Sequence, residues 1–250
     1  MAGRAESGLF HTRPTLRISL AAGAVFLVLV ALGSWQLQRL GWKQDRIDER
    51  QGRAMGETVE LTASLAGPGY FNFRPVWLSG QFLHEKELLL AARSFDRRVG
   101  WQVITPLALE GGGAVLVNRG WIPHDKQDAA LRAEGQLEGA VRVRGLVRTE
   151  QPQGTFQPDN RLEEGVWYWV DIDAMGDAVG LDVLPIVVEA DATANPGGLP
   201  IGGQTRLEVP NDHLQYALTW YALAFILAVI FVVFHRRKPG AKTTEEGGTS

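Results

Sequence analysis

Near its C-terminal end the chain reads Pro210-Asn211-Asp212-His213-Leu214-Gln215-Tyr216, runs apolar to Phe234 and stops at Arg236, Arg237 and Lys238. One imidazole therefore stands at the mouth of a segment apolar enough to enter a bilayer. An ionisable group at that depth is costly, which makes it a functional candidate by default. On a helix, positions i, i+3, i+4, i+7 and i+8 share a face. From His213 that face carries Tyr216, Ala217, Trp220 and Tyr221, with Ala224 one turn further. A neutral imidazole is a good axial ligand for haem iron, and aromatic and small side chains suit the walls of a flat macrocycle. Two plainer roles compete. Trp and Tyr gather at membrane interfaces with no ligand present, and Asn211 or Asp212 is a natural helix N-cap.

Two apolar segments position these residues. Ile18 to Gln38 is closed by Arg17 and Arg39, and His213 to His235 by Asp212 and Arg236. Each meets the ~20 residues that a helix needs to cross ~30 Å of hydrocarbon. The first is a poor cleaved signal, because its uncharged run exceeds the usual ~7–15 residues and its small-x-small triplet, Ala31-Leu32-Gly33, lies inside that run. An uncleaved anchor is expected. Arg4, Arg13 and Arg17 before it are matched by Arg39, Lys43, Arg46, Arg50 and Arg53 after it, so the first span alone does not orient the chain. The second decides: Arg236, Arg237, Lys238 and Lys242 follow it, and only Arg206 closely precedes it. Both termini are expected on the cytoplasmic (or matrix) side, with the middle domain opposite. The spans then run antiparallel, which puts Trp35, Gln36 and Arg39 at the depth of His213 and Trp42 and Lys43 just outside. Arg39 or Lys43 could pair with propionates at the interface.

The division expected is a tail over 1–17, a first span over 18–38, an extramembrane domain over 39–212, a second span over 213–235 and a disordered low-complexity tail over 236–250. The domain opens on a charged, helical lead-in from Arg39 to about Thr62. β patterns follow at Pro75–Phe82, Glu87–Arg93, Trp101–Leu109, Ala114–Trp121, Ala140–Arg148, Val166–Asp171 and Leu184–Glu189. Glu110-Gly111-Gly112-Gly113 joins two of them and reads as a hairpin turn, not a phosphate loop, since no helix start and no Lys-Ser/Thr follows. His124–Glu138 reads as helix or loop, Gly176–Val183 as a short helix or turn at best, and Asp191–Gln204 as a linker to the second span. The fold class is two transmembrane α-helices flanking a mainly antiparallel β (α+β) extramembrane domain.

Composition narrows the chemistry. The net charge is -3 and there is no cysteine, which removes covalent haem, thiolate copper and thiol redox motifs. Beyond Met1 only Met55 and Met175 remain, far apart, so a thioether copper site is not expected either. No Gly-x-Ser-x-Gly, His-Glu-x-x-His or dinucleotide fingerprint occurs, and no enzyme is expected. His11, His84, His124 and His235 are scattered and read as surface histidines. Trp101 and Trp121 read as core or interface anchors, Gly100 and Gly120 as strand bends or close packing. Arg74 reads as a partner for a carboxylate, and Asn118-Arg119 as fixing a turn or facing a partner.

Five segments carry a family resemblance: Gly33-Ser-Trp-Gln-Leu-Gln-Arg-Leu-Gly-Trp-Lys43, Phe73-Arg-Pro-Val76, Gly100-Trp-Gln-Val-Ile-Thr-Pro106, Val117-Asn-Arg-Gly-Trp-Ile-Pro123 and Pro210-Asn-Asp-His-Leu-Gln-Tyr-Ala-Leu-Thr-Trp220. In this order between two spans they resemble the first Surfeit locus protein family, assembly factors for haem-copper cytochrome c oxidase. The resemblance implies an inner-membrane protein of an aerobic bacterium or mitochondrion, the middle domain in the periplasm or intermembrane space; a bacterial member in the inner (cytoplasmic) membrane, with a periplasmic domain, is expected. It implies binding of haem a, non-covalent and transient, and its delivery to or retention in subunit I of the oxidase. His213 would be the iron ligand, with Tyr216, Trp220, Trp35, Gln36 and Arg39 around the porphyrin. Subunit I, the haem a synthase and the lipid bilayer are the expected partners, and nucleic acid is not. The alternative is a cofactor-free membrane scaffold that stabilises a subunit I assembly intermediate.

Overall fold

The computed structural model describes residues 16–62, 71–149, 153–205, 207 and 211–235. They fall into two units, one drawn from 1–46 and 210–250 and the other from 47–209.

The first unit holds two helices. α1 spans Leu16–Ala54, of which the part up to Arg46 belongs here. The C-terminal helix covers His213–His235. Both are long and apolar enough to cross a bilayer, and only 6% and 11% of their most apolar windows are buried. A core helix of a soluble protein would hide that surface. An exposed apolar helix is instead matched to a lipid solvent, where it satisfies its own backbone.

The second unit is a β structure entered through the last turns of α1, where Ile47 is buried and the Arg50 guanidinium lies 5.3 Å from the Phe73 ring. Its strands are β1 (Val59–Glu60), β2 (Pro75–Phe82), β3 (Leu88–Phe95), β4 (Arg98–Leu109), β5 (Ala114–Pro123), β6 (Ala140–Arg148), β7 (Val166–Trp167) and β8 (Val183–Ala190). They pair in the order β1-β2-β6-β8-β5-β4-β3-β7, and an additional β2–β4 pairing closes the sheet on itself. Closure works because the twelve-residue β4 shares one edge between two partners, pairing Arg98–Ile104 with β3 and Leu107–Leu109 with β2. The barrel is mainly antiparallel, but β5 and β8 run parallel and make it mixed. The chain enters β8 from β7 through a helix, α2 (Ile172–Val179).

The alternation of side chains sorts the core. Val76, Leu78, Leu107, Val115, Val117, Val147, Ile186 and Val188 fill the barrel. Leu116 and Val187 point the other way, onto Leu90, Ile104, Trp167, Ile172 and Met175 beneath α2. Strand β5 is therefore covered on both faces, which is why Ala114-Val-Leu-Val117 is apolar without alternation.

Several local expectations shift. The short helix or turn expected over Gly176–Val183, with Ala174 and Met175 before it, is a helix over Ile172–Val179, because the Asp171 carboxylate accepts from the Ala174 N–H at 3.1 Å as an N-cap. The same cap cuts the strand expected over Val166–Asp171 down to Val166–Trp167. The stretch Asp191–Gln204 is no free linker. Ile201 exchanges two backbone hydrogen bonds of 2.8 Å with Trp121. Gly120 permits this approach: its φ is +123° and a Cβ there would lie 2.0 Å from the Ile201 carbonyl. The tails outside 16–235, with His11, fall outside the described residues, and so does Arg206.

Candidate functional site

In the first unit the C-terminal helix packs on α1 through small residues. Ala217 and Ala224 are buried, seven residues apart on one stripe. Gly33 of α1 meets the Tyr221 ring so closely that a Cβ would lie 2.9 Å from it. Beside this contact the Ser34 hydroxyl donates to the Val30 carbonyl at 2.9 Å and accepts from the Tyr221 hydroxyl at 3.1 Å. Small residues and paired hydroxyls are how helices associate where lipid supplies no hydrophobic drive.

One turn along α1, the packing delivers Gln36 to His213. The imidazole Nδ1–H donates to the Gln36 Oε1 at 2.7 Å. An imidazole that donates from Nδ1 carries its lone pair on Nε2, and the bond fixes both tautomer and ring plane. A metal-ligating histidine has this same arrangement. Two neighbouring groups are buried without partners: both polar atoms of the Asn211 carboxamide and the Trp220 indole N–H. Asn211 therefore does not cap the helix. Unsatisfied buried polar atoms are uncommon in folded proteins and call for an explanation at each site. The half-buried imidazole, the orphaned polar atoms and the aromatic Trp220 fit a polar-edged, flat ligand such as a haem.

Of the other expected residues, Trp35 and Tyr216 are 50% and 56% exposed. Arg39 lies 4.8 Å from the Trp42 ring and 6.0 Å from the Trp35 ring, a cation held on two indole faces. Among the described residues no cluster of three or more His, Asp or Glu side chains is poised for a metal ion.

The motifs of the β unit make contacts that build the barrel. Arg119 is the extra residue of a bulge where Val103 pairs with Gly120 and Ile104 with Asn118. Asn118 stabilises the bulge by accepting from the Gly120 N–H at 3.1 Å. The Arg119 side chain, 2% exposed, donates to the Gly135 and Asn195 oxygens and lies 4.7 Å from the Phe82 ring. Burial pushes its pKa down to about 10, with Glu87 opposing and Arg132 adding to the shift. His84 is not a free surface histidine: its Nε2–H donates to the Leu137 carbonyl at 2.9 Å, and Nδ1 faces Arg119 at 3.5 Å. Arg132 and Glu87 form a buried bidentate pair. Trp121 is buried and its indole N–H donates to the Arg93 carbonyl, while Arg74 lies 5.9 Å from the Phe71 ring. Sequence reasoning missed the Gly33–Ser34–Tyr221 contact, although the adjacent small residues Gly33 and Ser34 were its signal.

These features define a class: a mixed β-barrel carried between two apolar helices, with an oriented imidazole where the second helix begins. The model of the SURF1 family matches residues 23–225, and the chain belongs to that family. It is 37% identical to a SURF1-like protein of Monosiga brevicollis over 232 residues, which cover 88% of each chain. It is 37% identical to Surfeit locus protein 1 of Rattus norvegicus over 225 residues, 84% of this chain and 73% of that one. Against Surfeit locus protein 1 of Homo sapiens the identity is 36% over 226 residues, 84% and 75% of the two chains. All three relatives are eukaryotic.

Proposed function

We propose that the chain is a non-enzymatic assembly factor for haem-copper cytochrome c oxidase that binds haem a through His213 and hands it to, or retains it in, subunit I. The observation that carries this reading is the Gln36–His213 hydrogen bond, which leaves Nε2 as the free, oriented donor. Haem a, when bound, would supply an iron that the neutral His213 imidazole would ligate. Gln36 would hold the imidazole plane, Trp220 would supply an aromatic wall, and Arg39 would pair with propionates. Trp35 and Tyr216, exposed on the helix pair, suit a surface that subunit I covers as cargo leaves. The same proposal has both termini on the cytoplasmic side of a bacterial inner membrane and the barrel on the periplasmic side, a reading supported by the Arg236–Lys238 run.

The test is to purify the protein from cells that make haem a and record its absorption spectrum, then repeat with His213→Ala. Loss of the haem a bands in the variant, with the barrel still folded, is expected. An unchanged haem a content would remove His213 as the ligand. The exposed aromatic pair also favours a second reading, a cofactor-free scaffold. That reading requires a colourless wild-type protein that still co-purifies with subunit I.

A further inference from the structure

The β unit carries a second feature that oxidase assembly does not account for. A cavity of about 570 Å³ opens beside β3 and is lined by Arg93, Arg148, Trp169, Glu189, Gln102 and Asn118 among others. This volume is in the range of small-molecule sites, ~300–1,000 Å³, but the wall is polar and charged where a haem would want an apolar one.

Its hydrogen-bonding inventory is unbalanced. The Nε–H groups of Arg93 and Arg148 and the indole N–H of Trp169 are buried without an acceptor. Arg93 spends one guanidinium nitrogen on the Tyr168 carbonyl at 3.0 Å. Glu189 is the carboxylate in the lining. Its Oε1 is 3.6 Å from Arg148, and its Oε2 accepts from the Thr205 hydroxyl. Two cations therefore face one anion in the lining. Arginine cannot relieve this by losing its proton at neutral pH; burial lowers the Arg93 pKa and Glu189 opposes that.

The backbone is shaped to build this wall. The β3–β4 register slips between Leu90 and Arg93, and Ala92 within the slip has a φ of +56°. That conformation is unfavourable for a residue with a Cβ. On the other edge of β4, the β4–β5 bulge lies at Asn118, which also lines the cavity. Bulges that re-aim a side chain are frequent next to binding sites.

We propose that this cavity binds a small soluble anion, a carboxylate- or phosphate-bearing molecule, with Arg93 and Arg148 as its positive contacts. An ionised oxygen group accepts from the guanidinium forks of Arg93 and Arg148 in the lining, and its charge completes the balance that Glu189 leaves short. The planar forks of two arginines match carboxylate and phosphate alike, so the headgroup is settled by the probe.

The full chain in lipid nanodiscs is titrated with succinate, inorganic phosphate and the neutral analogue succinamide. The Trp169 indole N–H resonance, assigned by its loss in Trp169→Phe, is followed by NMR alongside calorimetry. Succinate or phosphate is expected to move that resonance saturably at millimolar concentration, the stronger of the two naming the headgroup, while succinamide leaves it unmoved. Arg93→Gln or Arg148→Gln should weaken the affinity by roughly tenfold or more, the loss of a charge-assisted hydrogen bond. Arg161→Gln, at an exposed pair with Glu164, should change nothing. No saturable shift with either anion, an equal shift with succinamide, or unchanged affinity in both arginine variants would overturn the proposal. Should the variants misfold, the contrast between charged and neutral probes on the wild-type chain decides it.

Discussion

The Gln36 carboxamide takes up one nitrogen of His213, and that second contact sets what the other nitrogen does. Replacing a group that orients a metal ligand costs about 10–100-fold in affinity in comparable sites. Gln36→Leu should weaken haem a binding by that order, read by titrating the purified apoprotein with haem a, while His213 remains in place. The same logic, applied to stability, singles out Arg132. Its side chain is 1% exposed and its partner Glu87 9%, so truncating one member strands a charge in the interior. Arg132→Ala is expected to destabilise the β unit by about 3–5 kcal/mol, measured as a lowered denaturant midpoint. The exposed pair Arg142–Glu60, with side chains 58% and 51% exposed, should tolerate the equivalent change. The neighbourhood of Gln36 and His213 was legible from the antiparallel spans, but Arg119 and Arg132 look like surface polars until the fold buries them, and nothing in the sequence pairs His84 with Leu137.

Elements were more readable than their partners. Pro75–Phe82 and Ala140–Arg148 emerge at the bounds expected, because each has turn residues at both ends and a strand-like pattern between. The two apolar helices were equally plain from their length. What the pattern did not carry was closure, since nothing in β4 signals that it divides one edge between β2 and β3. Nor did it carry the pinning of 191–204, because a Gly- and Pro-rich stretch reads as linker whether or not Gly120 lets it approach. At the helix pair, Gly33 sets the distance. Gly33→Leu should push the Tyr221 ring away and separate α1 from the C-terminal helix. The chain has no cysteine, so spin labels on cysteines introduced at the exposed positions Leu37 and Leu214 report that separation directly. A longer or broader distance distribution is expected, together with reduced haem a retention. An unchanged distribution would mean that the Gly33 contact does not set the spacing.

For the whole molecule, the order in which strands appear along the chain differs from their order in space. β8 comes last in sequence yet lies between β5 and β6, parallel to one and antiparallel to the other. Until it arrives, both neighbours present open edges, and open apolar edges invite pairing with other chains. A chain ending after Asp182 should therefore be digested rapidly in a pulse-chase with added protease, whereas one ending after Thr205 keeps the protected barrel fragment. Because domains fold as their last elements emerge during synthesis, the barrel waits for nearly all of itself to be translated. The consequence falls on inheritance and quality control: a premature stop codon between β2 and β8 yields no half-useful product, only an anchored chain with unpaired strands for proteases to clear.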